Sequence, residues 1–110
     1  MGKSADNLQG TLDLLVLRTL ASGEPLHGYT IADRIHEVSS DVLRVEEGSL
    51  YPALHRMDEA GWVKSKWGVS EKNRRARYYT ITQRGRRQLA ILEATWTNHV
   101  QAVAKVLRMA

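Results

Sequence analysis

The residues of this chain that could do chemistry are cations, aromatics and histidines rather than nucleophiles. Between Lys64 and Arg87, nine Lys or Arg (Lys64, Lys66, Lys72, Arg74, Arg75, Arg77, Arg84, Arg86 and Arg87) stand against one acid, Glu71. The net charge is only +4, so the rest of the chain is acidic overall. Cations segregated in this way suit a surface for a polyanion; a solvated charged face is the plainer alternative. Upstream, "EEGSLYPALHRMDEAGW" from Glu46 to Trp62 carries Tyr51, His55 and Arg56 along one side of an expected helix. Other chemistries lack their groups. The absence of cysteine excludes disulfides, zinc fingers and thiol catalysis. His27, His36, His55 and His99 are not at metal-ligand spacing, and no glycine-rich phosphate loop, nucleophile elbow or carboxylate pair stands out. Neither an enzyme nor a cofactor or metal is expected.

A chain of 110 residues is one domain's worth and enough for one modest core. Its 43% hydrophobic and 25% charged residues are the balance of a soluble globular domain. No window approaches 18 consecutive apolar residues, so no membrane span is expected. The opening "MGKSADN" lacks an apolar signal-peptide core. It also misses the myristoylation pattern, because Asp6 stands where Ser or Thr is needed. A cytoplasmic protein without membrane contact fits these features.

The elements that position these residues follow from periodicity. "LQGTLDLLVLRTLAS" spaces Leu8, Leu12, Leu15, Val16 and Thr19 as on a largely buried helix. "GEPLHG" breaks it, and "YTIADRIHEVSS" resumes as an amphipathic helix with Tyr29, Ile31, Ile35 and Val38 near one stripe. "DVLRV" reads as either a small strand or an extended connector. Gly61 is expected at C′ of the next helix. From Trp62 the pattern alternates. "WVKSKWGV" puts Val63, Ser65 and Trp67 on one face and Trp62, Lys64 and Lys66 on the other. "RARYYTIT" behaves likewise, and "SEKNRR" between them offers Asn73 for a tight reversal, which makes a hairpin with a basic tip. A long helix follows, with Thr82 as N-cap and Gly85 in its first turns at a modest cost. The order is three helices, a β-hairpin and a long helix: a mainly α winged helix-turn-helix. Residues 1–82 form the winged helix and residues 83–110 a C-terminal helix packed on the first, as one structural unit.

In a helix-turn-helix the second helix of the pair enters the major groove with its N-terminal residues at base edges. Here that helix is expected to start near Ser49, which puts Pro52 in a first turn where its missing N–H is harmless. Gly48 and Ser49 let a backbone approach phosphate, and free N–H groups with the helix dipole favour an anion there. Tyr51, His55 and Arg56 take the outer side; Leu50, Leu54 and Met57 take the packing side. Plainer roles stay open: Tyr51 as a core residue, Ser49 as a cap only, His55 and Arg56 as solvated surface. On the hairpin, Arg75 and Arg77 alternate with Asn73 and Arg74, so the cations do not all face one duplex. A basic tip of this kind suits phosphate or minor-groove contact more than base readout.

The blocks "HGYTIADRI", "EEGSLYPALHRMDEAGW" and "RRARYYTITQRGRRQL" resemble the PadR family of bacterial transcriptional regulators, over about Leu8 to Leu92. The short length and single C-terminal helix resemble its small subfamily. The resemblance implies a homodimeric repressor on a pseudo-palindromic site in double-stranded DNA. It places Ser49, Tyr51, Pro52 and Arg56 on the recognition helix and Lys72, Asn73, Arg74 and Arg75 on the wing. His27, Gly28 and Tyr29 open the second helix, with Tyr29 in the core or on a phosphate. His55 and Arg77 complete the expected DNA-binding set. Family members answer to phenolic acids, drugs or other small ligands, or have no known effector, and several small members accompany transporter genes. In some drug-binding members paired tryptophans stack flat aromatic ligands. Trp96 matches that residue by position, which implies an aromatic effector site of Leu15, Trp96 and His99; a packed interface tryptophan is the alternative.

The stripe of the last helix points to a partner on its own account. Leu89, Leu92, Trp96, Val100, Val103 and Leu107 continue past a compact core and, with Leu8 and Leu12, are expected to form a homodimer interface. A dimer would set two recognition helices on half-sites about 34 Å apart. The competing expectation is a winged-helix interaction module whose basic wing meets an acidic protein partner.

Overall fold

Helical periodicity gives way to alternation at Trp62, and the computed structural model changes from helix to strand at Val63. It describes the backbone of residues 2–109 and the side chains of residues 10–109. The elements are α1 (Gly2–Thr19), β1 (Leu26–His27), α2 (Gly28–Val38), α3 (Glu47–Glu59), β2 (Val63–Val69), β3 (Arg75–Ile81) and α4 (Gln83–Leu107). A short 3-10 turn at Leu20–Ser22 follows α1. The sheet is antiparallel in the order β1-β3-β2. Strand β1 is an addition to the expected hairpin. "GEPLHG" does interrupt the helices, but Leu26 and His27 pair with Tyr79 and Tyr78. Two residues are too few to show alternation. The open reading of "DVLRV" resolves to a connector without regular structure.

The core forms where three helix faces meet one sheet face. Val16, Leu17 and Leu20, Ile31, and Leu50, Leu54 and Met57 are fully buried, with Val63 from β2 beneath them. Tyr29 and Val38 were expected on the buried stripe of α2 and are not: Tyr29 is 63% exposed and Val38 more so. Two apolar residues on that helix, Ile31 and Ile35, are enough to seat it.

Helix α3 starts earlier than expected. Its N-cap is Glu46, whose carbonyl accepts from the N–H groups of Ser49 and Leu50 at 3.0 and 2.9 Å. Ser49 is therefore inside the helix and does not cap it. Pro52 falls in the second turn, where its missing N–H releases the Gly48 carbonyl. Gly48 is exposed, so water can take that carbonyl. At the other end Gly61 has φ +80° at C′, as expected. The Trp62 N–H reaches the Met57 carbonyl and the Gly61 N–H reaches that of Asp58, closing a Schellman motif.

Gly85 does more than cost helix propensity. A Cβ there would run into the Trp62 carbonyl, with the Ile81 side chain 2.9 Å away. Thr82 caps α4 by accepting from the Gly85 N–H at 3.0 Å, and its hydroxyl donates to the Gly61 carbonyl at 2.6 Å. The end of α3 and the start of α4 are thus joined through one threonine and one glycine. Arg84 reinforces the joint, donating to the Ala60 carbonyl at 3.4 Å, and Arg86 ties α4 to the turn after α1, donating to the Ala21 carbonyl at 2.9 Å. Cations at helix-end carbonyls are favourable, so part of the basic stretch is structural.

Asp13 carries a charge into the apolar part of α1. Its side chain is 7% exposed and meets Arg56 of α3 in a bidentate pair, with N–O distances of 2.7 and 2.9 Å. The hydrogen bond to Asp13 pushes the Arg56 guanidinium above its ordinary value, against the opposing effect of burial. The two partners are not equivalent, because the Arg56 side chain is 37% exposed and can reach water. Arg56→Ala strands a buried carboxylate and should cost about 3 kcal/mol of stability in urea unfolding; Asp13→Asn, which keeps the shape and a polar group, should cost less. Equal small losses for both would show that the pair is not holding α1 to α3.

Candidate nucleic-acid interface

Burying Leu50, Ala53, Leu54 and Met57 turns the opposite side of α3 outward. Ser49, Tyr51, Pro52 and His55 lie exposed on that side. Arg56, expected beside them, is instead engaged with Asp13. His55 stands 2.9 Å from Glu59 in an exposed pair worth little to stability. Glu46 and Glu47 flank the start of α3. Carboxylates therefore already serve the helix dipole, and an anion gains less at this end than the sequence suggested.

Tyr51 is about half exposed, and its ring closes over Gly28 at the start of α2. A Cβ at Gly28 would lie 2.8 Å from that ring, so this glycine is what lets the two helix fronts approach. His27 precedes it as the N-cap residue of α2, with its Nε2 3.2 Å from the Thr30 hydroxyl and its ring edge-on to Tyr78 at 5.4 Å. Tyr29, resolved as exposed, sits under the wing: the Lys72 ammonium is 5.9 Å from its ring centre.

The wing rises from β2 and β3. Asn73 takes the left-handed conformation, φ +59°, which its short polar side chain tolerates. The Ser70 N–H donates to the Arg74 carbonyl at 2.7 Å and closes the turn. Trp67 is paired across the strands with Arg77, and Val69 with Arg75. These four therefore share a face with Ser65, Val63, Tyr79 and Ile81. Burial pushes the Tyr79 hydroxyl above its ordinary value. Arg75 and Arg77 both lie over the Trp67 indole, at 4.8 and 5.4 Å. That face looks across a cleft at His27, Gly28 and Tyr51. A wider groove of about 580 Å³, bounded by Tyr29, Tyr51, Lys72, Arg74 and Arg75, continues it to the wing tip. The arrangement brings Tyr51 of α3 together with His27 and Tyr29 at the start of α2 and with Lys72, Arg74, Arg75 and Arg77 of the wing; Ser49, Pro52, His55 and Asn73 are exposed but do not line the groove, and Arg56 is held by Asp13. Sequence reasoning missed Asp13, Trp67 and the Ser65–Asp58 contact. An acid in the midst of "LDLLVL" is a signal for the first; Trp67 depends on cross-strand register, and the Ser65–Asp58 contact on how α3 packs against β2.

A second region lies between α1 and α4. Trp96 and His99, with ring centres 6.0 Å apart, border a half-open cavity of about 260 Å³ also lined by Gly10, Leu14 and Leu92. Leu15 does not join them. One residue further along α1 is a turn of about 100°, and Leu15 lines another cavity with Arg18, Ile35 and Leu43. Of the expected interface residues, Leu89 is buried in this chain's own core, and Leu12 and Leu92 pack against it. Trp96, Val100, Val103 and Leu107 are exposed. Leu8 lies outside the residues whose side chains are described. Among the described residues no cluster could hold a metal ion, and no helix is long and apolar enough to cross a membrane.

The protein-family model described as "Transcriptional regulator PadR-like family" matches residues 16–91. The fold is similar to a transcriptional regulator from Clostridium thermocellum, with 28% identity and a TM-score of 0.80 over 91% of this chain and 96% of that one. A PadR family transcriptional regulator from Eggerthella lenta has 29% identity and a TM-score of 0.76 over 99% and 93%. One from Clostridium difficile has 28% identity and a TM-score of 0.73 over 87% and 97%.

Proposed function

The chain belongs to the PadR-like family of transcriptional regulators, and from that premise we propose a homodimeric repressor that reads a pseudo-palindromic promoter site with α3 and grips its backbone with the wing. The observation that carries the reading is the shared groove. Tyr51 of α3 and the wing cations Lys72, Arg74 and Arg75 border one groove, Arg77 lines the cleft that continues it, and Ser49, Pro52 and His55 are exposed on the same helix as Tyr51. In this reading side chains on the helix meet base edges, and cations of the wing meet phosphates. Arg56 is left out of the DNA-contacting set because Asp13 holds it.

A homodimer is supported by the shape of the chain. Its longest dimension is 57 Å against 29 and 28 Å, and its radius of gyration is 15.2 Å, where about 13 Å is usual for a compact chain of this length. Helix α4 carries Trp96, Val100, Val103 and Leu107 beyond Leu89, its last buried residue, with their surfaces uncovered. A small flat aromatic effector is part of the proposal, placed in the cavity beside Trp96 and His99. Titration of such compounds should quench the tryptophan emission of the wild-type protein and leave Trp96→Leu unchanged. A broad panel with no quenching would remove the effector.

The DNA-binding surface is tested with a duplex enriched by the protein from a random-sequence pool and a scrambled copy. Arg74→Ala with Arg75→Ala should weaken both duplexes alike and lower the log–log salt slope by about 1 for each phosphate left without its cation. Tyr51→Ala should weaken the enriched duplex by about 1–3 kcal/mol more than the scrambled one. At saturation two chains should bind one duplex. Equal loss on both duplexes for Tyr51→Ala would remove its base-reading role, and one chain per duplex would remove the dimer.

A further inference from the structure

The two guanidinium groups over Trp67 pose a physical problem. Like charges repel, yet Arg75 and Arg77 both lie over one exposed indole, 4.8 and 5.4 Å from its centre. The ring's negative face answers part of that repulsion. The rest is answered from behind. Arg77 donates from Nε to the Ser65 hydroxyl oxygen at 2.9 Å, and that hydroxyl donates to Asp58 Oδ2 at 2.8 Å. The chain of bonds runs from a cation to a carboxylate, the arrangement in which each bond strengthens the next. Asp58 belongs to α3, so the same relay ties the wing to the recognition helix.

We propose that Trp67 is the positioning residue of the wing: it holds Arg75 and Arg77 as a pre-arranged pair facing the cleft opposite Tyr51, and the Arg77–Ser65–Asp58 relay sets their height relative to α3. The proposal rests on the DNA-binding reading and refines it. Trp67 is 52% exposed and is not needed by the core. Its indole instead removes freedom that two long side chains would otherwise lose on binding a polyanion. Held in this way, the pair meets adjacent phosphates without a conformational search, and its contribution is the same on every sequence.

The test compares Trp67→Leu, Trp67→Tyr and Ser65→Ala in anisotropy titrations of the enriched and scrambled duplexes across a salt series. Trp67→Leu should bind both duplexes about tenfold more weakly with the wild-type salt slope, because the charges remain and only their arrangement is lost. Trp67→Tyr should stay within about threefold of wild type, because an aromatic face restores the stack. Ser65→Ala should fall between them. An unchanged unfolding midpoint for the three variants checks that the fold persists. Wild-type affinity in Trp67→Leu, or equal loss in Trp67→Tyr and Trp67→Leu, overturns the proposal while leaving the DNA-binding reading intact. A wild-type protein that neither prefers the enriched duplex nor loses affinity with salt overturns both.

Discussion

A carboxylate buried in an apolar helix has to be met by a cation, and the meeting of Asp13 with Arg56 sets how α3 lies on α1. The pair is not the main source of adhesion. Fully buried Leu50, Leu54 and Met57 each contribute about 1.5–3 kcal/mol, whereas an ion pair of this kind roughly balances its own desolvation. Apolar burial is non-directional, however. Two parallel hydrogen bonds at 2.7 and 2.9 Å are directional and fix the rotation of α3 about its axis. With that rotation set, Tyr51, Pro52 and His55 face outward together.

The sheet extends the same core into the second half of the candidate interface. One face of β2 and β3 starts as packing, with Val63, Tyr79 and Ile81 buried. One step out Ser65 stands opposite Tyr79, and one step further Trp67 stands opposite Arg77 and the face becomes the cationic stack. No change of register is needed, because every second residue stays on that face. The wing is therefore an extension of the core, and its angle to α3 is held at the base by Thr82 and Gly85 and midway by Ser65 and Asp58.

Much of this was legible in the sequence because it rests on period. The three helices, the hairpin, the turn at Asn73, the Gly61 stop and the Thr82 cap each followed from local rules and hold in the structure. What was not legible depended on partners distant in sequence. Arg56 reads as a surface cation until Asp13, forty-three residues away, is beside it. Gly85 looks like a mild helix fault until the Trp62 carbonyl occupies the space of its Cβ. Leu15 and Leu14 are interchangeable by composition, and only the helix rotation decides which one joins Trp96. Tyr29 has the hydropathy of a core residue, but it lies about 200° around α2 from buried Ile31, which leaves it outside.

What remains is whether the two outward surfaces act as one reader of sequence. The direct measurement is the affinity of the wild-type chain for the enriched duplex and its scrambled copy from about 50 to 200 mM salt. A preference of about 10³ or more, with affinity falling steeply on both duplexes as salt rises, is the result required by a helix that specifies and a wing that grips. Equal binding to both duplexes, at about 10⁻⁴ to 10⁻⁶ M, would contradict it and leave α3 without a base-reading role.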